Sequence, residues 1–140
     1  MMSARVLKGQ GIVAGTARGA ALVSETELAL SLIEPTSGVI KQPGHPLFGT
    51  SVAGMVLVFP AGGGSSSGSY RLLHLAEEGA APAAIVNRQA NAVVTAGAVL
   101  GDIPLVHRLD PDPLRSIQTG DDVEVDATRG TVTVHPKATS

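Results

Sequence analysis

Cysteine is absent from this 140-residue sequence, which excludes disulfides and any zinc or iron–sulfur site ligated by thiolates of this chain alone. Tryptophan is absent too, and two Phe and one Tyr are the whole aromatic complement. A core built mostly from Gly, Ala and Val lets elements approach closely, but each residue buries little apolar area, at roughly 25 cal/mol per Å². So thin a core gains from burying a face against a partner chain. Basic charge is not in excess: ten Lys and Arg stand against twelve Asp and Glu, a formal net charge of −2, so nucleic acid is not an expected partner. No apolar run approaches the ~18 residues of a membrane span, and no charged-then-apolar leader opens the sequence. The expectation is a soluble, cytoplasmic chain that folds as a single domain over residues 1–140.

Familiar catalytic signatures are also missing. No Lys follows the glycines as a G-x-x-x-x-G-K-[ST] phosphate loop requires, and Gly62-Gly63-Gly64 only partly matches the dinucleotide fingerprint. His45, His74, His107 and His135 have no metal-ligand spacing, so no metal site is expected.

What is present centres on residues 54–79. Met55 to Phe59 is a continuous apolar run closed by Pro60, followed by Gly62, Gly63 and Gly64 and then Ser65, Ser66 and Ser67. Tyr70, Leu73, Ala76 and Ala80 then follow at helical spacing. Strand, glycine loop and helix N-terminus together aim free N–H groups and a partial positive charge at one place. Two readings of the serines stay open. Serine is a preferred N-cap, worth ~1 kcal/mol, but three behind three glycines exceed what capping needs, and an anion-facing loop accounts for the surplus.

The rest falls into order around that stretch. Residues 4–24 read as short β runs broken by glycines, and residues 25–41 as a loop before a Val39–Ile40 strand. The segment 42–49 reads as a surface loop that exposes His45. After Gly79, residues 81–87 form a buried strand, Asn91 caps a helix over 92–101, and Ile103 to Val106 form a third strand. Residues 54–106 are thus β-α-β-α-β with a small parallel sheet. A DPDP turn at 110–113, a single helical turn at 114–118 and a hairpin of 122–126 with 131–135 complete the chain, with the last five residues frayed.

A serine at a helix N-terminus becomes a proton acceptor only if strongly acidified. The dipole contributes up to ~2 kcal/mol, about one and a half pKa units at 1.36 kcal/mol each, far short of what an alcohol needs near neutral pH. Arg71 and Arg88 are the nearest cations in sequence. Either Ser65 only binds, or a second chain completes the site.

The segments VLKGQGIVAGTARGAALVS, TSGVI, HPLFGTSVAGMVLVFPAGGGSSSGSYRLLHLAEEGAAPAAIVN and GAVLGDIPLV together resemble the swivel-domain small subunits of the aconitase X family, over about residues 5–134. The resemblance implies an α/β fold of the swivelling β/β/α type, a partly parallel sheet or barrel-like β structure with flanking helices. It implies a lyase: the small subunit of a heterodimeric hydro-lyase, inactive alone, whose larger aconitase X catalytic subunit carries an iron–sulfur cluster, with no cofactor on this chain. That cluster and its neighbouring cations would supply the missing acidification. By position Ser65 matches the family's proton-abstracting serine, while Gly62, Gly63, Gly64, Ser66 and Ser67 would hold a small carboxylate substrate. The substrate favoured at this level is cis-3-hydroxy-L-proline, because Gly63 stands where the family often carries Arg; the alternative is (R)-mevalonate 5-phosphate. An acidic residue common in the family is also replaced at Gln89 or Asn91. A non-catalytic swivelling lid or anion-binding module, with His74 as a phosphoryl acceptor, is the competing reading.

Overall fold

The computed structural model describes residues 3–63 and 65–137; Gly64 and, of the five terminal residues expected to fray, 138–140 lie outside the described residues. In chain order the elements are β1 (Arg5–Val13), β2 (Thr16–Val23), β3 (Leu28–Ala29), a 3₁₀ turn (Leu30–Leu32), β4 (Val56–Phe59), β5 (Gly62–Gly63) and α1 (Gly68–Glu77). Then come β6 (Ala84–Asn87), α2 (Ala92–Gly101), β7 (Leu105–Asp110), α3 (Pro113–Ser116), β8 (Asp122–Asp126) and β9 (Thr131–His135).

The β-α-β-α-β unit is present: β4, β6 and β7 are parallel neighbours, with α1 and α2 as crossovers. Its sheet does not stop there. β2 adds in parallel to β4, and the antiparallel pairs β2–β8, β8–β9, β9–β1 and β1–β7 close a seven-stranded barrel. The apolar runs of β4 and β6 follow from burial on both faces. Val56, Val58, Ala84 and Val86 fill the barrel interior, whereas Leu57, Phe59 and Ile85 point outward beneath Leu72, Leu75, Val94 and Ala98 of the helices. In β8 and β9 only Val123, Val125, Val132 and Val134 are buried, so those strands alternate.

Three expectations need correction. The buried face of α1 is Gly68, Leu72 and Leu75, while Tyr70 is exposed. The helix is rotated because Leu72 seats on Gly97 of α2, where an added Cβ would come within 2.7 Å of Leu72 Cδ1. The third strand begins at Leu105 rather than Ile103. Asp102 ends α2 in the left-handed region (φ 53°) and Ile103 N donates to the Ala98 carbonyl, which ties Ile103 to the helix end. Val39 and Ile40 form single bridges to Ser51 and Ile33 instead of a strand.

Candidate functional site

The loops that leave the C-terminal ends of β4, β6 and β7 share one edge of the barrel, the side on which open α/β sheets place ligands. From β4 the chain passes through Pro60 and Ala61 into β5, which pairs in parallel with β3 at Leu28–Gly62 and Ala29–Gly63. Gly62 is required by close approach: a Cβ there would lie 2.7 Å from Val94 Cγ2 and 3.2 Å from Asn91 Oδ1. Asn91 serves two elements, as its Oδ1 accepts from Val94 N and caps α2 while its Nδ2 donates to the Gly62 carbonyl at 2.7 Å. Against Gly63 leans the exposed side chain of Glu27, its Oε2 3.3 Å from where a Cβ would stand.

Ser65, Ser66 and Ser67 are all exposed ahead of α1. Ser67 holds the N-cap position, but no serine hydroxyl caps the helix. Instead Ser65 Oγ and Ser67 Oγ share a hydrogen bond of 2.6 Å. Gly68, Ser69 and Arg71 donate their amides to the carbonyls of Ser65, Ser66 and Ser67, so the first helical amides are already used. The amides of Ser65, Ser66 and Ser67 find no acceptor among the described residues. Capping therefore does not explain the three serines. Residues 64–68 also spell G-x-S-x-G around Ser66, the pattern of a hydrolase elbow, yet Ser66 Oγ has no histidine partner among the described residues.

Neither sequence-nearest cation reaches this loop as a free charge. Arg71 donates to the Ile33 carbonyl beside the 3₁₀ turn. Arg88 forms a two-pronged pair with Asp112, at 2.9 and 3.2 Å, which holds the Asp112 carboxyl below its ordinary range. Sequence reasoning missed Arg108 and Asn87 at this edge. Asn87, 0% exposed, donates to the Phe59 carbonyl at 3.0 Å and leaves its Oδ1 without a partner among the described residues. Only the polar break in an otherwise apolar strand marks it in the sequence.

His45 is not the exposed loop residue expected. It is 6% exposed, because its loop folds back onto the segment leading to β3. Its Nδ1 accepts from Leu47 N, so in the neutral ring Nε2 carries the proton and donates to Ser24 Oγ at 3.0 Å. His107, also 6% exposed, is held alike: Nδ1 accepts from Ala90 N, and Nε2 lies 3.3 Å from Gln10 Oε1. Burial lowers both pKa values, and the Arg108 charge lowers that of His107 further. The unfolded rings titrate near 6.5 and the folded rings below that, so between the two values the unfolded chain binds more protons. Stability should be complete above about pH 6.5 and fall as the pH drops towards 5. Urea midpoints measured from pH 7.5 to 5 check this, and replacing His45 and His107 together by Gln should flatten the slope; a flat parental profile would contradict it.

Among the described residues no group of three His, Asp or Glu side chains is placed to hold a metal ion. Nor is any helix long and apolar enough to cross a membrane. Residues 6–134 match the aconitase X swivel domain. The chain belongs to the aconitase X swivel-domain family. It is 42% identical over 127 residues to the phosphomevalonate dehydratase small subunit of Methanocella arvoryzae, covering 90% of this chain and 96% of that one. The same-named subunit of Pyrococcus furiosus is 41% identical over 129 residues, covering 91% and 94%. The crystal structure of Thermococcus kodakaraensis aconitase X in its holo-form superposes with a TM-score of 0.88 at 37% identity, covering 93% of this chain and 98% of that one. This swivel domain thus shares the barrel and both crossovers with a solved aconitase X chain. Its relatives are subunits of dehydratases, the lyase class expected from sequence.

Proposed function

We propose that this chain is the small subunit of an aconitase X-type hydro-lyase that dehydrates (R)-mevalonate 5-phosphate together with a larger subunit, with Ser65 as the proton acceptor. The observation that carries the reading is the Ser65–Ser67 pair. The two hydroxyls are 2.6 Å apart, exposed, and beside three amides that find no acceptor among the described residues. Elimination removes a proton from the carbon next to the carboxylate and hydroxide from the carbon beyond it. Ser65 Oγ acts as an alkoxide held by a hydrogen bond from Ser67 Oγ–H, charge-assisted and about twice as strong as a neutral one. It takes the proton and becomes a hydroxyl, and the departing hydroxide recovers that proton, directly or through solvent, to leave as water. The free amides of Ser65 to Ser67 would hold the substrate carboxylate, while Gly62 and Gly63, engaged with β3 and Asn91, act as scaffold.

An iron–sulfur cluster does not fit this chain, which has no cysteine, and we assign it to the larger subunit. The names of the relatives favour mevalonate phosphate over the hydroxyproline suggested by sequence. One observation favours hydroxyproline: the Glu27 carboxylate against Gly63 suits the ammonium of an amino acid. The test is to assemble the chain with its larger subunit and offer both substrates, following loss of water by mass spectrometry. Turnover of mevalonate 5-phosphate is expected. Turnover of hydroxyproline alone selects the second reading, and a cluster-loaded complex idle on both overturns the proposal.

A further inference from the structure

With Arg71 and Arg88 engaged elsewhere, a third guanidinium reaches the same edge from β7. On the β1–β7 ladder Lys8 faces Asp110 and Gln10 faces His107, so two steps along β1 match three along β7. Arg108 lies in that bulge with φ 54°, a left-handed conformation rare for an arginine. Bulges of this kind re-aim a side chain and recur beside functional sites. Here Arg108 N donates to the Arg88 carbonyl at 3.1 Å, and its Nε donates to Gln89 Oε1 at 3.0 Å. Gln89 N in turn donates to the Pro60 carbonyl, and Asn91 holds the Gly62 carbonyl. The guanidinium is thus anchored on the segment that clamps the entry to the glycine–serine loop. Its orienting partner is a neutral amide, and among the described residues no carboxylate lies within ion-pair distance. Among the described residues its two terminal nitrogens have no partner, which leaves them for a ligand.

The geometry points to Arg108 as the residue that binds the substrate's phosphate, with Gln89 orienting it. This rests on the reading in which Ser65 reacts and the substrate is phosphorylated. Strand spacing argues for phosphate over carboxylate. β7 is two strands from β4 in the barrel order, roughly 10 Å at ~4.8 Å per strand. A carboxylate adjoining the reacting carbon stays with the serines; a phosphate ester several bonds further along the chain spans that distance. Arg108 would supply the cation that Gly63 lacks, from another strand.

The test uses the assembled complex with Arg108→Gln, Arg108→Lys and Arg108→Gly. For Arg108→Gln the KM for mevalonate 5-phosphate should rise roughly 10- to 100-fold, the range of a lost hydrogen bond to a charged group, with kcat within about twofold of the parent. Arg108→Lys should recover part of the loss. Arg108→Gly should melt no lower than the parent, because glycine adopts the left-handed conformation freely, yet show the same rise in KM, which separates binding from folding. An unchanged KM in active Gln and Gly variants overturns the assignment and leaves the Ser65 reading standing. A fall in kcat alone overturns it too, as does a parent complex that acts only on an unphosphorylated acid. Full activity of a Ser65→Ala complex would instead overturn the underlying reading.

Discussion

Ser65→Ala should lower kcat of the assembled dehydratase roughly 10²- to 10⁴-fold, the range of a lost general base, while the two subunits still co-purify. At 1.36 kcal/mol per factor of ten this is about 3–5 kcal/mol of transition-state stabilisation. An interaction of that size is reasonable only if Ser65 carries charge in the transition state. The fold prepares for this in part: Ser67 Oγ sits 2.6 Å from Ser65 Oγ, and neither hydroxyl is diverted to capping α1. It does not complete the task, because Arg71 and Arg88 are committed elsewhere. On the proposed reading the remaining acidification comes from the partner. Ser67→Ala removes a donor and leaves the base, so its loss should be smaller, about 10- to 100-fold. Undiminished kcat in Ser65→Ala, or a change confined to KM, would show that the chain only lids its partner's site.

The largest effect on stability is expected from Gly11→Ala. A Cβ at Gly11 would overlap the Ala127 carbonyl oxygen and lie 2.7 Å from the Ala127 carbonyl carbon. Both obstacles are backbone, so no side chain can rotate away. β1 would have to leave the β8–β9 hairpin, where Arg5 to Lys8 pair with Thr131 to Val134 and Gly9 N donates to the Gly130 carbonyl. That contact is one of the seams that close the barrel. We expect a cost of about 3 kcal/mol or more, at the upper end for overpacking, against a total stability of only ~5–15 kcal/mol. The urea midpoint should fall accordingly. Gly49→Ala is the control: its left-handed φ of 88° carries strain but no atom lies within 4 Å, so the cost should be about 1–2 kcal/mol. Equal midpoints for the two variants would mean that β1 yields where the packing says it cannot.

Read as a sequence, the chain specified what depends on near neighbours. Continuous apolar runs at 56–59 and 84–86 announced strands buried on two faces, alternation at 122–126 and 131–135 announced the hairpin, and Asn91 announced a helix start. The glycine–serine loop stood out by composition alone. Each of these is a local preference, written in periodicity or turn chemistry within a few residues. Long-range pairing decided the rest. Closure of the barrel depends on β9 meeting β1 across more than a hundred residues. The burial of His45 depends on Ser24, and the rotation of α1 on a glycine in α2. Arg108 gives no local sign of its role, since its direction is set by a bulge that exists only once β7 is laid against β1. The family resemblance picked Ser65 out of the three serines; the tertiary structure added that no serine hydroxyl caps the helix and that Ser65 faces Ser67. Sequence determined that a loop of this kind stands at a helix N-terminus; which groups face it was decided by strand register, which no window of the sequence contains.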